Sequence, residues 1–142
     1  PTVSEGENIF SDYVSTGFTL RKHPIALFRE HLNSYQVSLA SELANIASRI
    51  SAKVVGLVTC RQRPTTASGV TFITLEDETG FINVVIWPSL GERLRPIVRQ
   101  SMVMGVVGEV QRSDGVIHLI AQELVDLSHW LRPLESYSRD FI

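Results

Sequence analysis

The side chains that could support catalysis or bind a metal do not form a recognisable pattern in this chain. The densest acidic group consists of three consecutive carboxylates, Glu76, Asp77 and Glu78. Neighbouring residues of a strand point to opposite faces, so these side chains cannot converge on one ion, and a solvated hairpin turn is expected instead. The four histidines have no ligand-pair spacing, and the sequence holds no glycine-rich phosphate loop or nucleophile elbow. We therefore predict no catalytic residue, no metal site and no cofactor.

The single cysteine, Cys60, falls within a predicted strand and has no obvious histidine partner. Packing is therefore its expected role rather than nucleophilic catalysis. One cysteine can form neither an internal disulfide nor a cysteine-based zinc site. This usage indicates a reducing compartment, and a cytoplasmic location is expected.

Side chains suited to binding nucleic acid recur at alternate positions of three predicted strands. Because alternate residues of a strand share a face, each strand contributes one set to a common outer surface. Aromatic rings on such a surface can stack on bases while guanidinium groups bind phosphates. The predicted nucleic-acid-binding residues are Thr59, Arg61, Arg63, Phe72, Thr74, Asn83 and Trp87.

The complementary positions of these strands are expected to fill the interior. They are Val58, Thr71, Ile73, Leu75, Ile82, Val84 and Ile86, of which Thr71 is the poorest fit because of its hydroxyl. An alternative remains open for the surface set. Phe72 and Trp87 could pack in the core or against the amino-terminal segment, and Arg61 and Arg63 could be ordinary solvated charges.

The elements that would position these residues follow from hydrophobic periodicity and turn signals. After the third strand, Pro88 is well placed to begin a helix, which Pro96 weakens near its end. The predicted strands cover 53–63, 70–76, 81–87, 102–112 and 116–127, and the helix covers 88–99. Five strands with one helix between the third and fourth predict a mainly β fold, the five-stranded OB-fold Greek-key barrel.

Residues 1–50 precede the barrel and are too poor in apolar side chains to fold alone. His23 and Pro24 begin a short predicted helix, and a second is predicted over 40–47. The predicted organisation is a helical lead-in segment at 1–50 packed on the barrel, an OB-fold domain at 51–128 and a carboxyl-terminal tail at 129–142.

The chain has 142 residues, 44% hydrophobic and 20% charged, which is typical of one compact domain with a short appendage. No apolar stretch approaches the roughly 20 residues that cross a bilayer, so no membrane contact is expected. The net charge is −2, yet residues 53–112 hold seven basic and five acidic residues. A start at Pro1 rather than Met suggests a piece of a longer chain.

Three segments of the predicted barrel resemble the OB-fold region of bacterial C-family replicative polymerase alpha subunits. The resemblance is closest to the error-prone, damage-tolerant branch of these polymerases. The three segments are GLVTCRQRP at 56–64, ASGVTFITLEDETG at 67–80 and NVVIWP at 83–88. Further similarity lies in residues 12–24 before the barrel and in residues 116–121, 126–128 and 138–141 at the carboxyl end. The resemblance covers most of the chain.

The resemblance implies an accessory domain that binds the single-stranded template of an error-prone DNA polymerase during DNA synthesis and damage tolerance. The parent would be a DNA-directed DNA polymerase whose catalytic carboxylates lie elsewhere, so this chain itself is expected to carry no active site. Implied partners are single-stranded DNA, the remainder of the polymerase chain and other mutagenesis or replication proteins. Phe72, Asn83 and Arg63 match nucleotide-contacting positions of related OB domains.

Two alternatives remain at this point. The barrel could be a protein-docking module within the polymerase or mutagenesis complex. The Phe-Ile-x-Leu-x-Asp sequence from Phe72 to Asp77 is also similar to that of the anticodon-binding OB domains of class II aminoacyl-tRNA synthetases.

Overall fold

A computed structural model describes residues 23–65 and 68–131 of the chain. The remaining parts of the predicted lead-in and tail, including the similar segments at 12–22 and 138–141, lie outside the described residues. The strands are β1 (Ser51–Gln62), β2 (Thr71–Asp77), β3 (Gly80–Ile86), β4 (Val103–Ser113) and β5 (Val116–Asp126). The α-helices are α1 (Arg29–Asn33), α2 (Pro88–Arg93) and α3 (Arg95–Gln100). The described residues also form 3₁₀ helices over Pro24–Phe28, Ala40–Asn45 and Ser128–Leu131.

The five strands close into one barrel in the order β1-β2-β3-β5-β4, with β4 pairing back onto β1. All neighbouring pairs are antiparallel except β3 and β5, which run parallel. The α2 and α3 helices lie between the third and fourth strands. This connectivity confirms the predicted mainly β OB-fold barrel.

The barrel interior contains the residues that strand alternation predicts. Thr71, the poorest fit in sequence, is only 9% exposed, and Val58 is half-buried against the same core. Residues 114 and 115 join β4 to β5 with φ angles of 53° and 78°, the left-handed pair of a type I′ hairpin turn. The other predicted interior residues are almost completely buried: Ile73, Leu75, Ile82, Val84 and Ile86.

The predicted single helix over 88–99 is two short helices. The α2 helix ends at Arg93, and Leu94 between the two has φ −113° and ψ 33°, outside helical values. Pro96 explains the break, because proline lacks an N–H and its ring clashes with the carbonyl four residues earlier. Leu90 and Val98, one from each helix, are buried in the barrel core.

The turn between β2 and β3 binds residues 23–50, the described part of the lead-in, to the barrel. Asp77 is 2% exposed, and its carboxylate accepts hydrogen bonds from the Ala40 amide at 2.7 Å and from the Thr79 and Gly80 amides at 2.8 and 3.2 Å. Arg29 lies 3.6 Å from the same carboxylate. The prediction of a merely solvated turn is therefore wrong, because the turn carboxylates bind the backbone and an arginine of the lead-in.

Glu78 completes this contact through a two-pronged ion pair with Arg29, with N–O distances of 2.7 and 2.9 Å. Burial by itself raises the pKa of the Glu78 carboxyl, but hydrogen bonds from Arg29 and from backbone outweigh it, and the pKa is lowered overall. The lead-in is also joined to β1, β4 and the last 3₁₀ helix by a buried apolar cluster, which consists of Ile25, Leu32, Val55, Val103 and Leu131.

Within the described ranges, no helix is both long and apolar enough to cross a membrane.

Candidate nucleic-acid interface

The outer surface of the barrel carries polar and aromatic side chains on β1, β2, β3 and β5, with the aliphatic and almost completely buried Val85 among them. Phe72 lies opposite Gln62 on one side and Val85 on the other. Thr74 lies between Cys60 and Asn83 in the next row. Asn83 in turn pairs with His118 of β5. We name this surface the outer platform and define it as Cys60, Gln62, Phe72, Thr74, Asn83 and His118.

The outer platform offers ring faces and hydrogen-bonding groups to the solvent. Phe72 is 37% exposed and belongs to neither buried cluster, which excludes the alternative that it is a core residue. Trp87 is 52% exposed and has extended backbone directly after β3. Its side chain therefore falls on the same face as those of Asn83 and Val85. No lysine or arginine belongs to the outer platform, so its chemistry is stacking and hydrogen bonding rather than charge neutralisation.

Arg61 and Arg63 do not lie on the outer platform, which corrects the predicted surface. Val58 pairs with Leu75, but Cys60 pairs with Thr74, so β1 contains a bulge at Thr59. One extra residue reverses the alternation that follows it. Arg61 therefore pairs with buried Ile73 rather than with an outward-facing residue.

Thr59, the extra residue of the bulge, uses its hydroxyl within the sheet. The hydroxyl donates a hydrogen bond of 3.2 Å to the Thr74 carbonyl. Of the seven predicted residues, the structure thus brings Phe72, Thr74 and Asn83 together, with Trp87 directly after β3. Thr59, Arg61 and Arg63 are placed differently.

Arg61 anchors the α3 helix to β1. Its guanidinium donates to the Val98 carbonyl at 2.8 Å and to the Ser101 carbonyl, both at the carboxyl end of α3. Ser101 is fully buried, and its hydroxyl donates to the Ile97 carbonyl at 2.7 Å. A positive charge at this end of a helix is also favoured by the helix dipole.

Arg61→Ala is therefore expected to lower the free energy of unfolding by about 1.5–3 kcal/mol, because two carbonyls lose a charged hydrogen-bond donor. Urea denaturation of the 142-residue chain measures this. Arg63→Ala is the matched control and should stay within about 0.5 kcal/mol, because the described contact of Arg63 is a solvent-exposed ion pair with Glu92 at 3.9 Å rather than hydrogen bonds to backbone carbonyls. Equal stability of both variants would show that Arg61 does not anchor the helix.

Strand alternation missed three members of the outer platform and one neighbour. Cys60 and Gln62 follow the bulge, which moves them to the outer face of β1. The sequence gives no signal for this bulge, so alternation cannot identify them. His118 was missed because its position depends on the parallel pairing of β3 with β5, a long-range contact. Phe81 lies on the same face beyond Asn83, is 65% exposed and pairs with Glu76, and its place in the alternation could have identified it.

Across residues 23–65 and 68–131, no group of three histidine, cysteine, aspartate or glutamate side chains is arranged to hold a metal ion.

Residues 52–127 match a family described as "OB-fold nucleic acid binding domain". The chain is 47% identical over 141 residues to the error-prone DNA polymerase of Dechloromonas aromatica (strain RCB), covering 99% of this chain and 14% of that polymerase. It is also 47% identical over 137 residues to the error-prone DNA polymerase of Azoarcus sp. (strain BH72), covering 96% of this chain and 13% of that protein. The chain thus spans about one seventh of these relatives.

A solved structure with the same fold is the aspartyl-tRNA synthetase of Entamoeba histolytica. The TM-score is 0.54 at 9% sequence identity, and the match covers 65% of this chain and 21% of the synthetase. At this identity the similarity concerns the barrel fold alone.

Proposed function

Because this chain belongs to the family of OB-fold nucleic acid binding domains, we propose that it binds single-stranded DNA as an accessory domain of an error-prone DNA polymerase. The observation that carries the proposal is the outer platform, in which exposed Phe72 lies beside the hydrogen-bonding side chains of Gln62, Thr74 and Asn83. Bases can stack on the ring only where they are unpaired and accessible. The amide and hydroxyl groups can then bind base edges.

The polymerase context is proposed from the similarity of nearly the whole chain to one segment of much longer error-prone polymerases. In that context the barrel holds the template strand near an active site supplied by another part of the polymerase. Its partners are the template and the remainder of the polymerase, and its location is the cytoplasm, where bacterial DNA is replicated.

We expect tighter binding to a single strand than to a duplex of the same sequence, because paired bases expose no faces for stacking. An oligothymidylate of about 12 nucleotides matches the site size of one OB barrel. Fluorescence anisotropy of the labelled strand, alone and as a duplex, measures the preference.

Cys60 supplies an independent measurement, since it is the sole cysteine of the chain, is exposed and lies opposite Thr74 on the outer platform. Alkylation of Cys60 by iodoacetamide should slow in proportion to the fraction of chain bound to the single strand. Addition of the duplex at the same concentration is the control and should leave the rate nearly unchanged. Equal affinity for both forms, or binding without protection of Cys60, would contradict the proposed site.

A second candidate, docking to protein, is favoured by an apolar groove formed by the lead-in, β1, β4, β5 and the last 3₁₀ helix. Its walls include Val55, Leu124 and Trp130, while Tyr35 and Val125 at its edge are 57% and 49% exposed. The groove contains no residue of the outer platform. Docking of another part of the polymerase here would therefore leave the residues of the outer platform free to bind DNA.

A further inference from the structure

A pocket rich in arginine lies where the end of β1, Gly69 and the α2 and α3 helices meet. We name it the arginine pocket and define it by its charged residues, Arg61, Arg63, Glu92, Arg95 and Arg99. The uncharged part of its wall includes Gly69, Thr71, Pro88 and Gly91. Among the described residues that line it, four arginines and one glutamate give a formal charge of +3, in a chain whose net charge is −2.

The one carboxylate among the described lining residues is shared between two of the pocket's arginines. Glu92 lies 3.9 Å from Arg63 and 3.4 Å from Arg95, and all three side chains are about half exposed. Arg61 binds two backbone carbonyls, which orient its guanidinium without neutralising its charge. For Arg99, the described residues include no carboxylate within ion-pair distance. Repulsion between such cations is relieved most effectively by an anion with several acceptor oxygens.

The arginine pocket is continuous with the outer platform through Gln62. This residue lines the pocket and is also the direct neighbour of Phe72 in the β1–β2 register. The outer platform itself has no arginine or lysine to offer a bound strand. The arginine pocket has four arginines, and it adjoins Phe72 through Gln62. Aromatic platforms for single strands are typically combined with a positively charged groove that follows the backbone.

We propose that the arginine pocket binds backbone phosphates of the same single strand whose base stacks on Phe72. Arg63, Arg95 and Arg99 are the phosphate-binding residues, and Arg61 is a positioning residue that holds α3 and its arginines against β1. This inference rests on the proposed function and extends it, because it names α2 and α3 as part of the binding surface. Glu92 opposes binding, since its carboxylate competes with phosphate for Arg63 and Arg95.

The test is the affinity for labelled oligothymidylate, measured by anisotropy at several salt concentrations on variants of the 142-residue chain. The double variant Arg95→Gln with Arg99→Gln should bind roughly 10-fold more weakly at low salt, and its salt slope should flatten by about 0.7 for each phosphate that the variant no longer binds. Glu92→Gln should bind several-fold more tightly, a gain that a purely structural role would not produce. Glutamine preserves helix propensity at these positions.

Arg93→Gln is the matched control. Arg93 belongs to α2, is exposed and carries the same charge, but it does not line the pocket and lies 3.9 Å from Glu123. If Arg93→Gln weakens binding as much as the double variant, the effect is one of overall charge and the pocket is not the phosphate site. If Glu92→Gln weakens binding, the pocket assignment is also overturned.

Inorganic pyrophosphate distinguishes a strand backbone from a free phosphate as the source of the anion. Displacement of the oligonucleotide by equimolar pyrophosphate would assign the pocket to a small phosphate ligand and overturn this inference. Phe72→Ala, measured in parallel, separates the two proposals. Loss of binding in Phe72→Ala with unchanged binding in the double variant leaves the outer platform in place and removes only the arginine pocket. Absence of single-strand binding by the unmodified chain removes both.

Discussion

Phe72→Ala should weaken binding of single-stranded DNA by about 1–3 kcal/mol, the usual contribution of one base stacked on an aromatic ring. This corresponds to a loss of roughly 5-fold to 150-fold in affinity. The salt dependence should stay nearly unchanged, because a ring neutralises no phosphate. Anisotropy titrations with a labelled oligothymidylate at two salt concentrations measure both quantities.

The folded state should tolerate this change, since the Phe72 ring is more than a third exposed and packs in neither buried cluster. Tyr35→Ala is the matched control, because it removes another exposed aromatic ring, one that lines the apolar groove rather than the outer platform. We expect Tyr35→Ala to bind DNA like the unmodified chain. A Phe72→Ala variant that is folded and binds with unchanged affinity would show that the strand does not stack there.

The fold could be predicted from the sequence because its signals are local. Alternating apolar residues at Ile73, Leu75, Ile82 and Val84 specify two strands with one buried face, and the Thr79–Gly80 segment specifies the turn that joins them. All four apolar residues are buried as expected. The strand order then leaves few topologies open.

The site was predictable only on strands without irregularities. Phe72, Thr74 and Asn83 belong to regular strands, so alternation places them correctly on the outer platform. The bulge at Thr59 shifts the register of β1, and a one-residue shift exchanges the two faces for every later residue. This is why Arg61 lies beside α3, and Arg63 near Glu92 of α2, instead of beside Phe72.

The second large effect is on stability and concerns Asp77, in the β2–β3 turn that the sequence alone predicts to be solvated. Asp77→Ala should lower the free energy of unfolding by about 2–4 kcal/mol, because a buried carboxylate that accepts hydrogen bonds from three backbone amides is lost. Two of these amides close the β2–β3 turn and the third begins the 3₁₀ helix at Ala40. For a chain of this size the melting temperature should fall by roughly 10 °C, measurable by circular dichroism.

Asp77→Asn separates the two roles of this carboxylate. Its remaining oxygen can still accept from the Thr79 and Gly80 amides, but its amide group replaces the oxygen that accepts from Ala40 and lies 3.6 Å from Arg29. Two donors then face each other, so the lead-in should detach locally while the turn stays closed. Hydrogen exchange should accelerate at the Ala40 amide and stay slow at Thr79 and Gly80. Unchanged protection of Ala40 would mean that the lead-in is held by its apolar packing against Val55 and Val103 rather than by Asp77.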